Sequence, residues 1–263
     1  MSNAPAMSVQ TELRPLYGQN SAVFSQAIEL LRKTYQNKVS AFFIYQSPAY
    51  LNHLKSINQS RHHGYSYTLH SSQGGNLIGL AMLRVRAKTL FLNQIILKAE
   101  FQGKGLGSRF LDEVISDIIG LSSPDEFSHF ELETFYSNIR ARGIYEYMGM
   151  RQGKGKYWYH ANHSMLLSRA HLALDGVALW VDLNGFSQIY LNADHMGTLI
   201  DHEHARINTA DISLAKSLSS YLYHHHHIGR ICIVSSKPMP LLLLDFSLPY
   251  TISMENILRK INL

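Results

Sequence analysis

The chain has 263 residues, 46% of them hydrophobic and 16% charged, with a formal net charge of +5. This is ordinary globular material, long enough for one large domain or two small ones with a buried core. The single cysteine, Cys232, excludes an internal disulfide and reads as a core residue in a reducing compartment.

The charge is uneven: residues 1–168 hold 17 Lys/Arg against 11 Asp/Glu, and residues 169–263 hold 7 against 8. The basic first part suits an anionic ligand such as a nucleotide, but it is too diffuse for a nucleic-acid stripe. No apolar run is long enough for a bilayer, since Leu241–Leu244 is bounded by Pro240 and Asp245, and no secretory signal is visible at Met1–Gln10. The expectation is a cytoplasmic protein with neither nucleic-acid nor membrane partners.

Residues 1–8 are small and polar and read as disordered. Val9–Tyr17 reads as a strand. Ser21–Tyr35 reads as a helix capped by Ser21, with an apolar stripe of Phe24, Ala27, Ile28, Leu31 and Tyr35. A second helix is expected from Ser47-Pro48 to about Asn58. Gly64–His70 and Leu77–Arg86 form a hairpin around Ser71–Asn76, and Leu90–Leu97 is a third strand. Ser108–Ile119 is helical, with Phe110, Leu111, Val114, Ile115 and Ile118 on one face. The breaker Ser122-Ser123-Pro124-Asp125 then leads to a strand at Phe130–Phe135 and a short helix at Asn138–Met148, ended by Gly149. Lys156–His160 and Ser164–Ser168 are expected to make a hairpin turning at Asn162-His163.

The sequence thus predicts a mixed α/β (α+β) domain with one central mixed sheet over residues 9–168. Residues 169–263 read as a separate small α/β unit without a repeat of the first. Its expected elements are a hairpin (Val177–Val181, Ser187–Leu191), a helix (Ser213–Tyr223), strands (Arg230–Val234, Leu241–Phe246) and a closing helix (Met254–Ile261).

Between the third strand and its helix lies Gln102-Gly103-Lys104-Gly105-Leu106-Gly107. Glycines there let several backbone N–H groups converge at a helix N-terminus, which suits a phosphate; a plain helix-capping connection is the other reading. A Walker A loop is excluded by spacing. A dinucleotide fingerprint is excluded because its third glycine would fall on Ser108 and no acidic ribose partner follows.

Read together with Asn138–Met150, this loop resembles the GCN5-related N-acetyltransferase (GNAT) family. The loop matches that family's Q/R-x-x-G-x-G/A motif, and the later segment matches N-x-x-A-x-x-x-Y-x-x-x-G-F, over about residues 9–168. Met150 stands where phenylalanine is usual, and Ala99 where proline is common; neither exchange removes a contact. The resemblance implies an acyl-CoA-binding fold. Gln102, Gly103, Lys104, Gly105, Leu106 and Gly107 would wrap the CoA pyrophosphate, Leu97 would bond the pantetheine arm through its main chain, and Asn138 would touch the cofactor. Tyr145 matches the family's general acid, protonating the departing thiolate. Glu133, twelve residues earlier, has the base-to-acid spacing of the ribosomal-protein alanine acetyltransferases; an ion-paired glutamate on a half-exposed strand is the other reading. His129, Glu131 and Asn93 are weaker base candidates.

Tyr157–His160 would shape the acceptor pocket with alternate residues. His224–His227 reads as a loop or helix end, and Asp201–His204 lacks the histidine spacing of a zinc helix, so no metal is expected. The implied function is N-acyl transfer from acetyl-CoA or another acyl-CoA to a primary amine, with residues 169–263 recognising the acceptor, covering the site or building a homodimer. The alternative is a non-catalytic acyl-CoA sensor acting through its C-terminal unit.

Overall fold

The computed structural model describes residues 10–35, 40–59, 63–123, 126–161, 163–167, 174–239 and 244–257. The first half contains β1 (Thr11–Pro15), α1 (Ser21–Thr34), α2 (Tyr50–Ile57), β2 (Gly64–Ser71), β3 (Leu77–Arg86) and β4 (Thr89–Leu97), followed by α3 (Leu106–Leu121), β5 (His129–Phe135), α4 (Ile139–Tyr147) and β6 (Arg151–Ala161). After the single turn α5 (His163–Leu166) come β7 (Val177–Val181), β8 (Ser187–Leu191), β9 (Asp194–Leu199), β10 (His204–Asn208), α6 (Ile212–His226), β11 (Arg230–Ser235) and β12 (Leu244–Ile257). Among the described residues no helix is long and apolar enough to cross a membrane.

All twelve strands join one sheet in the order β1-β2-β3-β4-β5-β12-β6-β11-β10-β9-β8-β7. That order is symmetric about its centre. In the first half, β2, β3 and β4 run antiparallel, α3 crosses over, and β5 lies parallel to β4. In the second, β8, β9 and β10 run antiparallel, α6 crosses over, and β11 lies parallel to β10. The last strands are exchanged: β12 pairs with β5 of the first half, β6 pairs with β11 of the second, and β12 and β6 pair with each other. The second half therefore repeats the first in topology, a repeat invisible in its residues.

Three packed layers follow from the apolar patterning. β3 (LIGLAMLRVR) is buried along most of its length, as suits a strand covered on both faces. On one face α1 and α2 bring Phe24, Ile28, Leu31, Tyr50 and Leu54 against Leu80, Met82 and Ile96. On the other, Phe110, Leu111, Val114, Ile115 and Ile118 of α3 meet Leu83, Leu90, Phe130 and Leu132. In the second half Ala215, Leu218 and Leu222 of α6 cover Ile189, Ala205, Ile207, Ile231 and Ile233.

Several expectations change. α1 is capped by Asn20, whose Oδ1 accepts from the Ala22 and Val23 amides at 3.1 and 3.2 Å, rather than by Ser21. Residues 163–166 are helical, so the return strand expected from Ser164 does not form there, and Ser168 lies outside the described residues; the partners of β6 lie far along the chain, where local patterning cannot point. Residues 254–257 extend β12 rather than opening a closing helix, because pairing with β5 and β6 overrides their helical spacing. The strands β9 and β10 were not expected, their sequences being polar and histidine-rich. The expected disorder of residues 1–8, the Pro124-Asp125 breaker, the Asn162 turn, Leu241–Leu243 and the remainder of the closing helix lie outside the described residues.

Candidate acyl-donor and acceptor cavity

The β4–β5 pair opens towards the loop. Parallel pairing runs from Thr89↔His129 to Leu92↔Leu132 and stops there, although β4 continues to Leu97 and β5 to Phe135. Asn93 is the extra residue of a bulge, since Leu92 pairs with Leu83 and Gln94 with Met82. A bulge bends the strand carrying it, which turns the end of β4 away from β5. The backbone edges beyond Leu92 and Leu132 thus face a gap, not each other.

The glycine loop closes one end of that gap. Gly103 and Gly105 have φ of +82° and +72°, a region that L side chains rarely adopt. Gly105 directly precedes α3, and no side chain caps that helix. The amides of its first turn therefore lack an intrahelical acceptor and carry the positive end of the helix dipole. Gly107 lies inside α3; a β-carbon there would only touch Leu97 Cδ1 at 3.7 Å, so its lack of a side chain leaves room in front of the loop. Gln102 Nε2 donates to the Leu97 carbonyl at 2.8 Å and ties the loop to the end of β4. Lys104 folds back, its Nζ donating to the Glu100 carbonyl at 3.0 Å.

From α4 come three more groups. Asn138 is the N-cap, its Oδ1 accepting from the Ala141 amide at 3.2 Å. The Arg140 guanidinium lies over the loop, close enough that a β-carbon on Gly103 would sit 3.3 Å from Nη2. Tyr145 is 8% exposed, and burial first, then the neighbouring Tyr35, pushes its phenol well above the ordinary tyrosine range. It keeps its proton throughout the neutral range. Glu133 projects from the end of β5 that has parted from β4, and forms an ion pair and hydrogen bond with Lys156 of β6.

These groups line one cavity of about 1050 Å³. Of the residues singled out in the sequence, Leu97, Gln102, Gly103, Gly105, Gly107, Glu133, Asn138 and Tyr145 meet there; Lys104 and Leu106 do not line it. Leu106 is buried in the core beneath α3. Alternation along β6 places Lys156 and Trp158 on the cavity wall, while Tyr157 and Tyr159 face the core of the second half. The motifs missed Arg84, Arg140 and Arg206. Arg140 was readable as a cation in the first turn of α4. Arg206 had no local signal, lying on the unexpected β10.

The second half shares this cavity through Arg206, Asn208, Thr209, Ala210 and Val234–Ser236, but its counterpart of the donor gap is closed. Pairing of β10 with β11 runs the whole length of β10, His204↔Arg230 to Asn208↔Val234, and continues with the Thr209 amide donating to the Val234 carbonyl at 3.0 Å. No glycine precedes α6. Instead Asp211 caps it, Oδ1 accepting from the Ser213 and Leu214 amides at 2.8 and 3.1 Å. A carboxylate of the chain occupies the amides that α3 leaves free.

Residues 201–204 prove to be the β9–β10 turn: Asp201 Oδ1 accepts from the Glu203 and His204 amides, both at 2.8 Å, and lies 2.9 Å from His204 Nδ1. His224–His226 end α6, and His227 terminates it with φ +57°.

Residues 25–150 match the model of a family described as the acetyltransferase (GNAT) family. Two solved structures resemble the whole chain. One is a tandem GNAT protein from the clavulanic acid biosynthesis pathway, 10% identical, with TM-score 0.63 over 94% of this chain and 98% of that one. The other is a Pyrococcus horikoshii chain provisionally assigned as an acetyltransferase, 8% identical, with TM-score 0.63 over 98% of this chain and 92% of that one. At such identities the likeness concerns the fold, and it extends through both halves. No curated protein matches the sequence.

Proposed function

We propose that the protein, whose residues 25–150 match the acetyltransferase (GNAT) family model, is an N-acyltransferase, moving an acetyl or other acyl group from acyl-CoA directly to a primary amine. In this reading residues 9–168 carry the donor site and residues 169–263 build part of the acceptor side. The observation that carries it is the gap between β4 and β5, which opens beside the uncapped, glycine-fronted start of α3 and into the cavity that Tyr145 lines.

The donor fits the groups present. The amides of Gly103–Gly107 and the Arg140 guanidinium supply donors and positive charge for a pyrophosphate. The free edge of β4 up to Leu97 suits an extended amide-bearing arm, which would add to the sheet as a strand does. Asn138 fixes the start of α4 and thereby the position of Arg140 and Tyr145. The amine attacks the thioester carbonyl, the carbon–sulfur bond breaks, and the Tyr145 Oη proton passes to the departing sulfur. The amine's proton leaves through water to Glu133, which Lys156 holds in place. An amide and free CoA result.

Calorimetry with CoA and a thiol-release assay across a panel of primary amines test this reading. CoA binding with amine-dependent thiol release supports it. Binding without release from any amine would favour a sensor, and absence of CoA binding would sink both.

A further inference from the structure

The cavity wall away from the glycine loop carries hydrogen-bond donors that the protein does not use. Tyr45 Oη, Arg84 Nε, Trp158 Nε1 and Arg206 Nε are all buried without a hydrogen-bond partner among the described residues, and all four residues line the cavity. Tyr45 and Trp158 are 2% and 5% exposed. Unused buried donors are uncommon in native proteins and call for an explanation.

The charges are equally one-sided. Glu133 is the only carboxylate among the described residues of the wall, and Lys156 occupies it. Among the described residues Arg84 has no acidic partner; its Nη2 meets His53 Nε2 at 3.3 Å. Burial depresses the His53 pKa to about 4, so the imidazole is neutral and orients the guanidinium without cancelling its charge. Arg206 makes no ion pair at all among the described residues. Its strand neighbours Ala205 and Ile207 face the core beneath α6, so Arg206 points from the opposite face of the sheet, in register with Thr198 and Cys232. Burial disfavours its charged form and the positive charge of Arg84 adds to that, with Cys232 and, more weakly, Glu133 opposing. Two mutually repelling, partly desolvated cations persist where a ligand anion compensates them.

These cations are separate from the donor end. Arg140 covers the loop, whereas Arg84 stands on the face that carries α2 and Arg206 comes from β10 of the second half. We propose that the acceptor amine carries a carboxylate, gripped between Arg84 and Arg206, so that the second half sets acceptor specificity. The guanidinium fork matches a carboxylate with two parallel hydrogen bonds, and Tyr45 and Trp158 offer further donors beside it. This rests on the acyl-transfer reading above for the amine's fate, though not for the binding of the anion.

The test uses the full-length protein and α- and ω-amino acids, each paired with its primary amide and its phosphonate analogue. Thiol release is measured alongside calorimetry in the presence of CoA. At least one amino acid should exceed its amide in kcat/KM and affinity by about tenfold or more. Arg206→Gln and Arg84→Gln should each remove that preference while CoA affinity stays unchanged. Amides equal to their acids throughout, a preference surviving in both variants, or phosphonates outperforming carboxylates would overturn the proposal. If acids bind without turnover and Arg206→Gln abolishes the binding, the anion site stands and acyl transfer falls. Should Arg206→Gln lose CoA binding as well, Arg206→Lys and Arg84→Gln decide, the former keeping the charge but not the fork.

Discussion

Tyr145 and His53 show how burial sets the protonation of single residues here. The Tyr145 phenol, held protonated by its surroundings, can donate to a departing thiolate but cannot act as a base near neutrality. Tyr145→Phe should lower kcat by about 100-fold while leaving CoA affinity within twofold, as thiol release and calorimetry would show. His53 behaves in the opposite sense to an ion-paired histidine. Its folded pKa is about 4 against 6.5 for the free side chain, chiefly through burial and then through Arg84, with Asp182 opposing. Between those values the unfolded chain binds a proton that the folded protein does not, so this residue lowers stability as pH falls from 6.5 to 4 and contributes no slope above. The melting temperature of His53→Gln should accordingly fall less than that of the native protein over that window; equal slopes would count against it. Residue identity made Tyr145 legible from its motif. It could not disclose His53 and Arg84, which meet only because α2 packs beside β3.

At the level of elements, the two crossover helices, α3 and α6, begin in contrasting ways. Gly105 ahead of α3 sits at φ +72° with nothing within 4 Å of a β-carbon, so Gly105→Ala is penalised by backbone conformation alone, about 1 kcal/mol, and should also weaken CoA binding. Asp211→Ala ahead of α6 should cost about 1 kcal/mol through the lost cap and leave CoA affinity unchanged. Thermal denaturation and calorimetry on both variants check the pair of outcomes. The strands and helices of the first half were largely readable, because β3 and α3 have unbroken apolar periodicity. β9 and β10 were not: one short, histidine-rich strand shows only part of its pattern, and Met196, Ala205 and Ile207 are too few to outweigh the polar residues between them. Asn20 outcompetes Ser21 as a cap for a similarly local reason, since its carboxamide reaches two amides at once.

For the whole molecule, the exchange of β6 and β12 makes the two halves mechanically one sheet. Each half borrows its last strand from the other, so neither core is complete alone. Calorimetric unfolding is therefore expected as one transition. Leu111→Ala beneath α3 and Leu218→Ala beneath α6 should each lower that same transition, by about 2–5 kcal/mol of stability; two separated transitions would contradict the coupling. Local chemistry was written in the sequence: helical and strand periods, the glycines of residues 102–107, and the Asn138–Gly149 segment each depend on neighbours a few positions apart. The tertiary structure alone decided the topological repeat, the strand exchange, the closing of the second gap by β10–β11 pairing, and the placing of Arg84 and Arg206 on the wall of one cavity. Those features depend on pairing between residues tens to more than a hundred positions apart, and separate segments with similar periodicity carry no mark of which edge they will join.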